Sequence, residues 1–315
     1  MNKSQVKQIL ENYELGGLQN YEELSPGYAN RNYRVTTGSG VILLRWVLEK
    51  NYQDLSLELD LLHGLKGINF PTAYPIARDN GKYITKLPVG FVVLYDFIQG
   101  QHPDLGIAPA HSIGEALGKL SIFKPSEDLK RANAINIDGC ILLADALDDA
   151  ANPLPDIFKY FKNQTEFFKT RVDIGVPKGL IHADVFPDNT IFDGENLRAI
   201  IDFEEACWDE LLFDLSMAIN GFCFPNNELS YSFLESILNG YLMHRKLTRE
   251  EWEALPIYIA WTAHGMLSWH LERLSQTPSQ RQEQRVRELM SRVVDILDRE
   301  ESLSHSIRKI RETTI

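Results

Sequence analysis

Two hydrophobic periods alternate along the N-terminal third of the chain. Val6, Ile9, Leu10 and Tyr13 fall at helical spacing, which predicts a short helix over Gln5 to Tyr13. The period then shortens: Tyr21 to Ser25, Asn32 to Thr37 and Val41 to Val47 read as strands, divided by Pro26-Gly27 and by Gly38-Ser39-Gly40. Helical spacing returns with Leu55, Leu59, Leu62 and Leu65 over Gln53 to Leu65, and Gly67 and Pro71 mark the exit. Lys82 to Leu87 and Phe91 to Ile98 then flank Pro88-Val89-Gly90 as a second hairpin. The pattern is a small antiparallel sheet with one helix inserted after the third strand.

Beyond Gly100 the spacing is mostly helical, over Ala110 to Phe123, Ile141 to Ala150, Pro155 to Arg171, Leu211 to Asn220, Glu228 to Arg245, Arg249 to Leu274 and Gln280 to Glu301. One stretch interrupts it. The apolar runs Thr190 to Phe192 and Leu197 to Ile201 are separated by Asp193-Gly194-Glu195-Asn196, a hairpin signal. The chain therefore reads as an α+β protein of two lobes, an N-terminal sheet lobe over 1–98 and a mostly helical lobe over 99–315.

Composition narrows the function classes. A net charge of −12 argues against nucleic acid, whose backbone is bound by clustered Lys and Arg. Cys140, Cys207 and Cys223 form no CxxC pair and have no zinc spacing, so they read as reduced thiols. Met1 to Leu15 lacks a continuous apolar core before a small-residue cleavage site, and no stretch calls for a membrane. A cytoplasmic location is expected, with no nucleic-acid or membrane partner; oligomeric state leaves no mark on the sequence.

The densest chemistry lies in Leu180-Ile181-His182-Ala183-Asp184-Val185-Phe186-Pro187-Asp188-Asn189, followed after the hairpin by Ile201-Asp202-Phe203-Glu204. Phosphoryl transfer passes through a loose transition state, so an enzyme mainly positions groups and stabilises charge. One carboxylate has to orient the attacking hydroxyl and accept its proton, while an Asn oxygen and a second carboxylate hold magnesium against the phosphates. Asp184, Asn189 and Asp202 supply these three roles, and His182 braces the loop. Any one Asp near a turn would pass for a solvated loop residue; the set at this spacing between two apolar strands does not.

This segment resembles the catalytic region of the aminoglycoside phosphotransferase and choline kinase superfamily, which shares the protein-kinase-like fold. Within it the chain is most similar to the second type of homoserine kinase. The likeness also runs through Gly27-Tyr28-Ala29-Asn30-Arg31-Asn32-Tyr33, Ala206-Cys207, Phe213-Asp214-Leu215 and Leu247 to Pro256. The resemblance implies that Asp184 is the catalytic base and that Asn189 and Asp202 are magnesium ligands. It further implies that Asp214 fixes the catalytic loop by accepting backbone N–H bonds, and that ATP and Mg2+ are the cofactors.

No Walker phosphate loop occurs. By the resemblance, Gly27 and Asn30 lie in the phosphate-side loop, Arg45 stands where protein kinases use lysine, and Glu58 on the following helix is its ion-pair partner. Arg45 presents a planar fork that holds its charge, so it is not a simple copy of lysine. Lys50 reads as a loop residue. Tyr95 and Phe97 end the strand whose backbone edge would meet adenine.

Glu204, Glu205 and Trp208, immediately after Asp202, are candidates for binding an amine-bearing acceptor; the homoserine kinases tend to carry Tyr-Phe where this chain has Glu204-Glu205. Trp261, His264, Ser268 and Glu272 share one helical face, which serves either core or acceptor pocket. The expected activity is transfer of the ATP γ-phosphoryl group to a hydroxyl of a small amino-bearing metabolite, with homoserine as the single best acceptor. An aminoglycoside- or choline/ethanolamine-type phosphotransferase and a nucleotide-binding pseudoenzyme are the alternatives.

Overall fold

The computed structural model describes residues 1–24, 30–125, 131–147 and 154–314. The chain forms two compact units. The first comprises Met1–Gln101, Thr190–Gly194 and Arg198–Glu204; the second comprises His102–Asn189, Glu195–Leu197 and Glu205–Ile315.

In the first unit, strands β1 (Leu18–Glu23), β2 (Asn30–Thr37), β3 (Gly40–Val47), β4 (Thr85–Lys86) and β5 (Phe91–Asp96) form an antiparallel sheet of order β1-β2-β3-β5-β4. Alternation sorts its two faces. Tyr33, Val35, Ile42, Leu44, Val92 and Leu94 pack against Val6, Ile9, Leu10 and Tyr13 of helix α1 (Lys3–Leu10) and the turn after it. Arg45 and its register partners Asn32 and Val93 lie on the other face. Helix α2 (Tyr52–Lys66) starts at Asn51, whose side chain accepts from the Asp54 N–H, and buries Leu55, Leu59, Leu62 and Leu65.

The strand expected over Lys82 to Leu87 shrinks to Thr85–Lys86. Arg78 and Gly81 close a turn through Arg78 N to Lys82 O at 2.8 Å and Gly81 N to Arg78 O at 2.8 Å, which takes the polar residues out of the ladder. The expected hairpin forms as β7 (Thr190–Asp193) and β8 (Asn196–Ile200), with Gly194 at φ 60°. Its residues in the first unit are tied there by paired Gln101–Phe192 backbone bonds, by Ile200 N to Pro71 O at 2.8 Å, and by Phe203 set edge-on to Phe70.

The second unit contains helices α3 (Ile107–Ser121), α4 (Ile137–Ala146), α5 (Pro155–Phe168), α6 (Leu211–Phe222), α7 (Tyr231–Leu242), α8 (Arg249–Gln276), α9 (Gln280–Asp298) and α10 (Glu300–Thr314). Strands β6 (Lys178–Ile181) and β9 (Cys207–Glu210) pair antiparallel in the same unit. The helix expected to run to Glu301 breaks at Arg299, and α10 continues with Leu303, Ile307 and Ile310 buried. α8 opens on a capping box of Thr248 and Glu251, whose two carboxylate oxygens also both accept from Nη2 of Arg245, at 2.8 and 2.9 Å. Trp261 and His264 of α8 are buried against Phe161 and Phe168 and are core, whereas Ser268 on the same face is half-buried and Glu272 is exposed. Among the described residues no helix is long and apolar enough to cross a membrane.

α3 and α7 approach until only glycine fits. A Cβ on Gly114 would stand 1.9 Å from the Ile237 carbonyl oxygen, and one on Gly240 would stand 2.1 Å from that of His111. Because the obstacle is backbone, the helices themselves would have to separate. Gly114→Ala is expected to destabilise the fold by about 1–3 kcal/mol, read as a lower urea midpoint. Wild-type stability in that variant would show that the helices can part freely.

Candidate active site

In the second unit the loop after β6 is built around one buried carboxylate. Asp214, in the first turn of α6, accepts the His182 N–H on Oδ2 at 3.0 Å and the Ala183 N–H on Oδ1 at 2.8 Å. Ala183 holds φ at 69°, a conformation that costs a non-glycine residue about 1–3 kcal/mol unless the surroundings impose it. Asp214 is the group that imposes it. Burial pushes the Asp214 carboxyl up to about 6, against the two N–H bonds, which pull it down.

Asp184 follows directly. Its N–H donates to Nδ1 of the fully buried His182 at 3.2 Å, which makes Nδ1 the unprotonated ring nitrogen. Asn189 closes the loop: its Nδ2 donates to the Asp184 carbonyl at 2.9 Å and to Asp184 Oδ2 at 2.7 Å. With Nδ2 committed, the amide oxygen is the Asn189 atom suited to a cation.

α6 is anchored beyond Asp214 as well. Tyr258 of α8 donates to the buried Glu210 carboxylate just before α6. At the other end Arg292 of α9 donates to the Asn220 carbonyl at 2.7 Å, a cation at a helix C-terminus.

A second constellation lies in the first unit. Asp202, at φ 69°, pairs with Arg45, Nη1 to Oδ1 3.4 Å. Arg45 also donates to Asn32 Oδ1 at 3.3 Å and lies 5.7 Å from the Tyr95 ring. Burial by itself would lower the Arg45 pKa, but Asp202, Tyr95, Glu58 and Glu204 outweigh it and the value rises. Burial, then the neighbouring Asp202, raises Glu204.

The structure corrects the expected partner of Glu58. Its carboxylate meets Lys50 Nζ at 2.6 Å, and the same ammonium reaches Glu204 Oε2 at 3.6 Å. The physical reason is position: Lys50 precedes the capping residue Asn51 and is carried to the start of α2, while the Arg45 fork is engaged by Asp202 and Asn32. Lys50 does lie in a loop, as the sequence indicates; what sequence reasoning missed is its ion pair, for which its position next to a helix cap was the available signal.

Asn30 opens β2 opposite Val47. Phe97 lies just past the β3–β5 ladder, under the Arg34 guanidinium at 5.2 Å. Glu205 is exposed in the turn Phe203–Glu205, and Trp208 is half-buried on β9, where its N–H donates to the Arg131 carbonyl at 2.9 Å. Gly27 lies outside the described residues.

Asn189 and Asp202 present oxygen donors, and Asp202 keeps 31% of its side chain accessible. That chemistry fits magnesium, which takes one or two protein oxygens and fills the rest of its shell with water and phosphate.

The model of the phosphotransferase enzyme family matches residues 20–255. A homoserine kinase of Rhizobium etli (strain CIAT 652) is 30% identical over 260 residues, covering 80% of this chain and 80% of that protein. The structure of a microcompartment-associated aminopropanol kinase superposes with a TM-score of 0.74 at 17% identity, covering 96% of this chain and 98% of that one. An amicoumacin kinase, hAmiN, in complex with AMP-PNP, Ca2+ and Ami gives 0.72 at 15% identity, covering 94% of each chain.

Protonation of Asp214 puts a proton on one of the two oxygens that hold the loop. Its folded value lies above the ordinary 3.8, so proton uptake favours the folded chain: this group's contribution, about 3 kcal/mol, is full below pH 4, declines between pH 4 and 6, and is absent above. Catalytic rate is therefore expected to fall as pH drops through about 6 without loss of global stability, which paired pH profiles of kcat and Tm would check. A Tm that falls together with the rate would contradict this.

Proposed function

The chain belongs to the phosphotransferase enzyme family, within the aminoglycoside phosphotransferase and choline kinase superfamily, and from that premise we propose that it transfers the ATP γ-phosphoryl group to the hydroxyl of homoserine. It is a small-molecule phosphotransferase of that family. The observation that carries the catalytic reading is the Asp184 carboxylate, tied at Oδ2 by Asn189 on a loop that Asp214 fixes from behind.

Asp184 accepts the hydroxyl proton as the acceptor oxygen bonds to the γ-phosphorus and the bond to the bridging oxygen breaks, leaving ADP. A fixed carboxylate is suited to this because the transition state gains most from groups that need no reorganisation. Asn189 and Asp202 would each offer an oxygen to magnesium, which would neutralise phosphate charge when bound. Arg45 contributes a permanent positive charge on the nucleotide side, with Tyr95 and Phe97 at the strand end that meets the base. Asn30 completes the phosphate side. His182 supports the Asp184 backbone and takes no part in the proton transfer.

Homoserine is supported by relatives of that name at about 30% identity over most of the chain. Glu205 and Trp208 are the side chains assigned to the acceptor's amine, with Glu204 beside them. A cytoplasmic location suits such a metabolite kinase.

The test is ADP release with ATP and magnesium against homoserine, choline, ethanolamine and kanamycin. Homoserine is expected to give turnover, and Asp184→Ala is expected to lower kcat by about 10²–10⁴ while ATP affinity stays within about threefold. Turnover on another acceptor alone would overturn the homoserine assignment; wild-type kcat in Asp184→Ala would overturn the base.

A further inference from the structure

We propose that Lys50 is a positioning residue of the nucleotide site, bridging Glu58 on α2 and Glu204 beside Asp202 so that the turn presenting the Asp202 carboxylate is held in place. The inference rests on the reading of Asp202 as a metal ligand.

The geometry is specific. Lys50 Nζ stands 2.6 Å from Glu58 Oε2 and 3.6 Å from Glu204 Oε2, and its side chain is only 16% exposed. An ammonium has three donors on one compact charge, so it can serve two carboxylates that arrive from different elements. Glu58 is 95% buried at its side chain, 5% remaining accessible, and its short partner is this lysine.

Charge makes the bridge necessary. Glu58, Glu204 and Asp202 bring three carboxylates to a neighbourhood where Arg45 and Lys50 supply the cations. Arg45 pairs directly with Asp202 and acts on Glu58 and Glu204 only at longer range, whereas Lys50 is the cation in contact with both. Without Lys50, Glu204 and Asp202 repel across one intervening residue. Asp202 sits at φ 69°, a left-handed conformation that aspartate tolerates better than most residues but that still costs energy, so repulsion would act on an already unfavourable part of the turn. Phe203, packed edge-on against Phe70, fixes the turn from its apolar side; Lys50 fixes it from the polar side.

The experiment is calorimetric titration of ATP, with and without magnesium, into wild type, Lys50→Met, Lys50→Gln, Lys50→Arg and Asp202→Asn. Lys50→Met is expected to weaken magnesium-dependent ATP binding about tenfold, with less than about threefold change when magnesium is absent. Lys50→Arg is expected to recover to within about threefold of wild type.

Unchanged affinity in Lys50→Met beside a loss in Asp202→Asn would overturn the positioning role alone. Equal weakening with and without magnesium would also overturn it, as the mark of a purely structural residue. Unchanged affinity in Asp202→Asn would overturn the metal role of Asp202 and this inference with it. Should Lys50→Met not fold, Lys50→Gln, which removes the charge and keeps a polar end, decides on the same readout: weaker magnesium-dependent binding supports the bridge, and wild-type binding overturns it.

Discussion

A buried carboxylate accepts two consecutive backbone N–H groups, and the loop after β6 takes its shape from that contact. Asp214 receives His182 and Ala183 together, and the positive φ of Ala183 is the conformation that aims both N–H groups at one side chain. Desolvating a carboxylate is costly, and its pKa rises accordingly; the cost is accepted where it converts a flexible loop into a fixed one. Asp184 inherits that rigidity directly. Its N–H meets the ring of His182, and its carboxylate meets Asn189.

The supports of α6 acquire their meaning from Asp214. Glu210 and Tyr258 fix the chain where α6 begins, and Arg292 caps the carbonyl of Asn220 near its end. Arg292 is nearly buried, and burial lowers it to about 9, so it too trades hydration for geometry. Asn220 adds bonds to the Ile259 carbonyl and to Thr262, which tie α6 to α8. A helix held at both ends cannot slide, and the carboxylate in its first turn stays in register with the loop.

The first unit solves a different problem, concentrating charge without scattering it. Strand alternation gives one face of the sheet to α1 and leaves the other to Arg45, with Asn32 directly across the ladder. Three carboxylates and two cations then sort by shape. The planar fork of Arg45 takes Asp202 and Asn32, and the compact ammonium of Lys50 takes Glu58 and Glu204.

By itself the sequence determined what local periodicity and short-range chemistry can encode. The sheet with one inserted helix, the hairpin at Asp193-Gly194-Glu195-Asn196 and the succession of helices follow from spacing, turn residues and caps within a few positions of one another. The loop bearing His182, Asp184 and Asn189 was legible because its residues stand close in the chain, and the part expected of Asp214 matches its bonds to His182 and Ala183. Only the tertiary structure decided which cation meets which carboxylate. Lys50 and Glu204 are far apart in sequence, and ion pairing depends on distances of a few ångströms that no periodicity specifies. The same holds for the pairing of β6 with β9, for the break that separates α10 from α9, and for the burial of Trp261 and His264. Each is settled by what packs against the residue, information carried by distant parts of the chain.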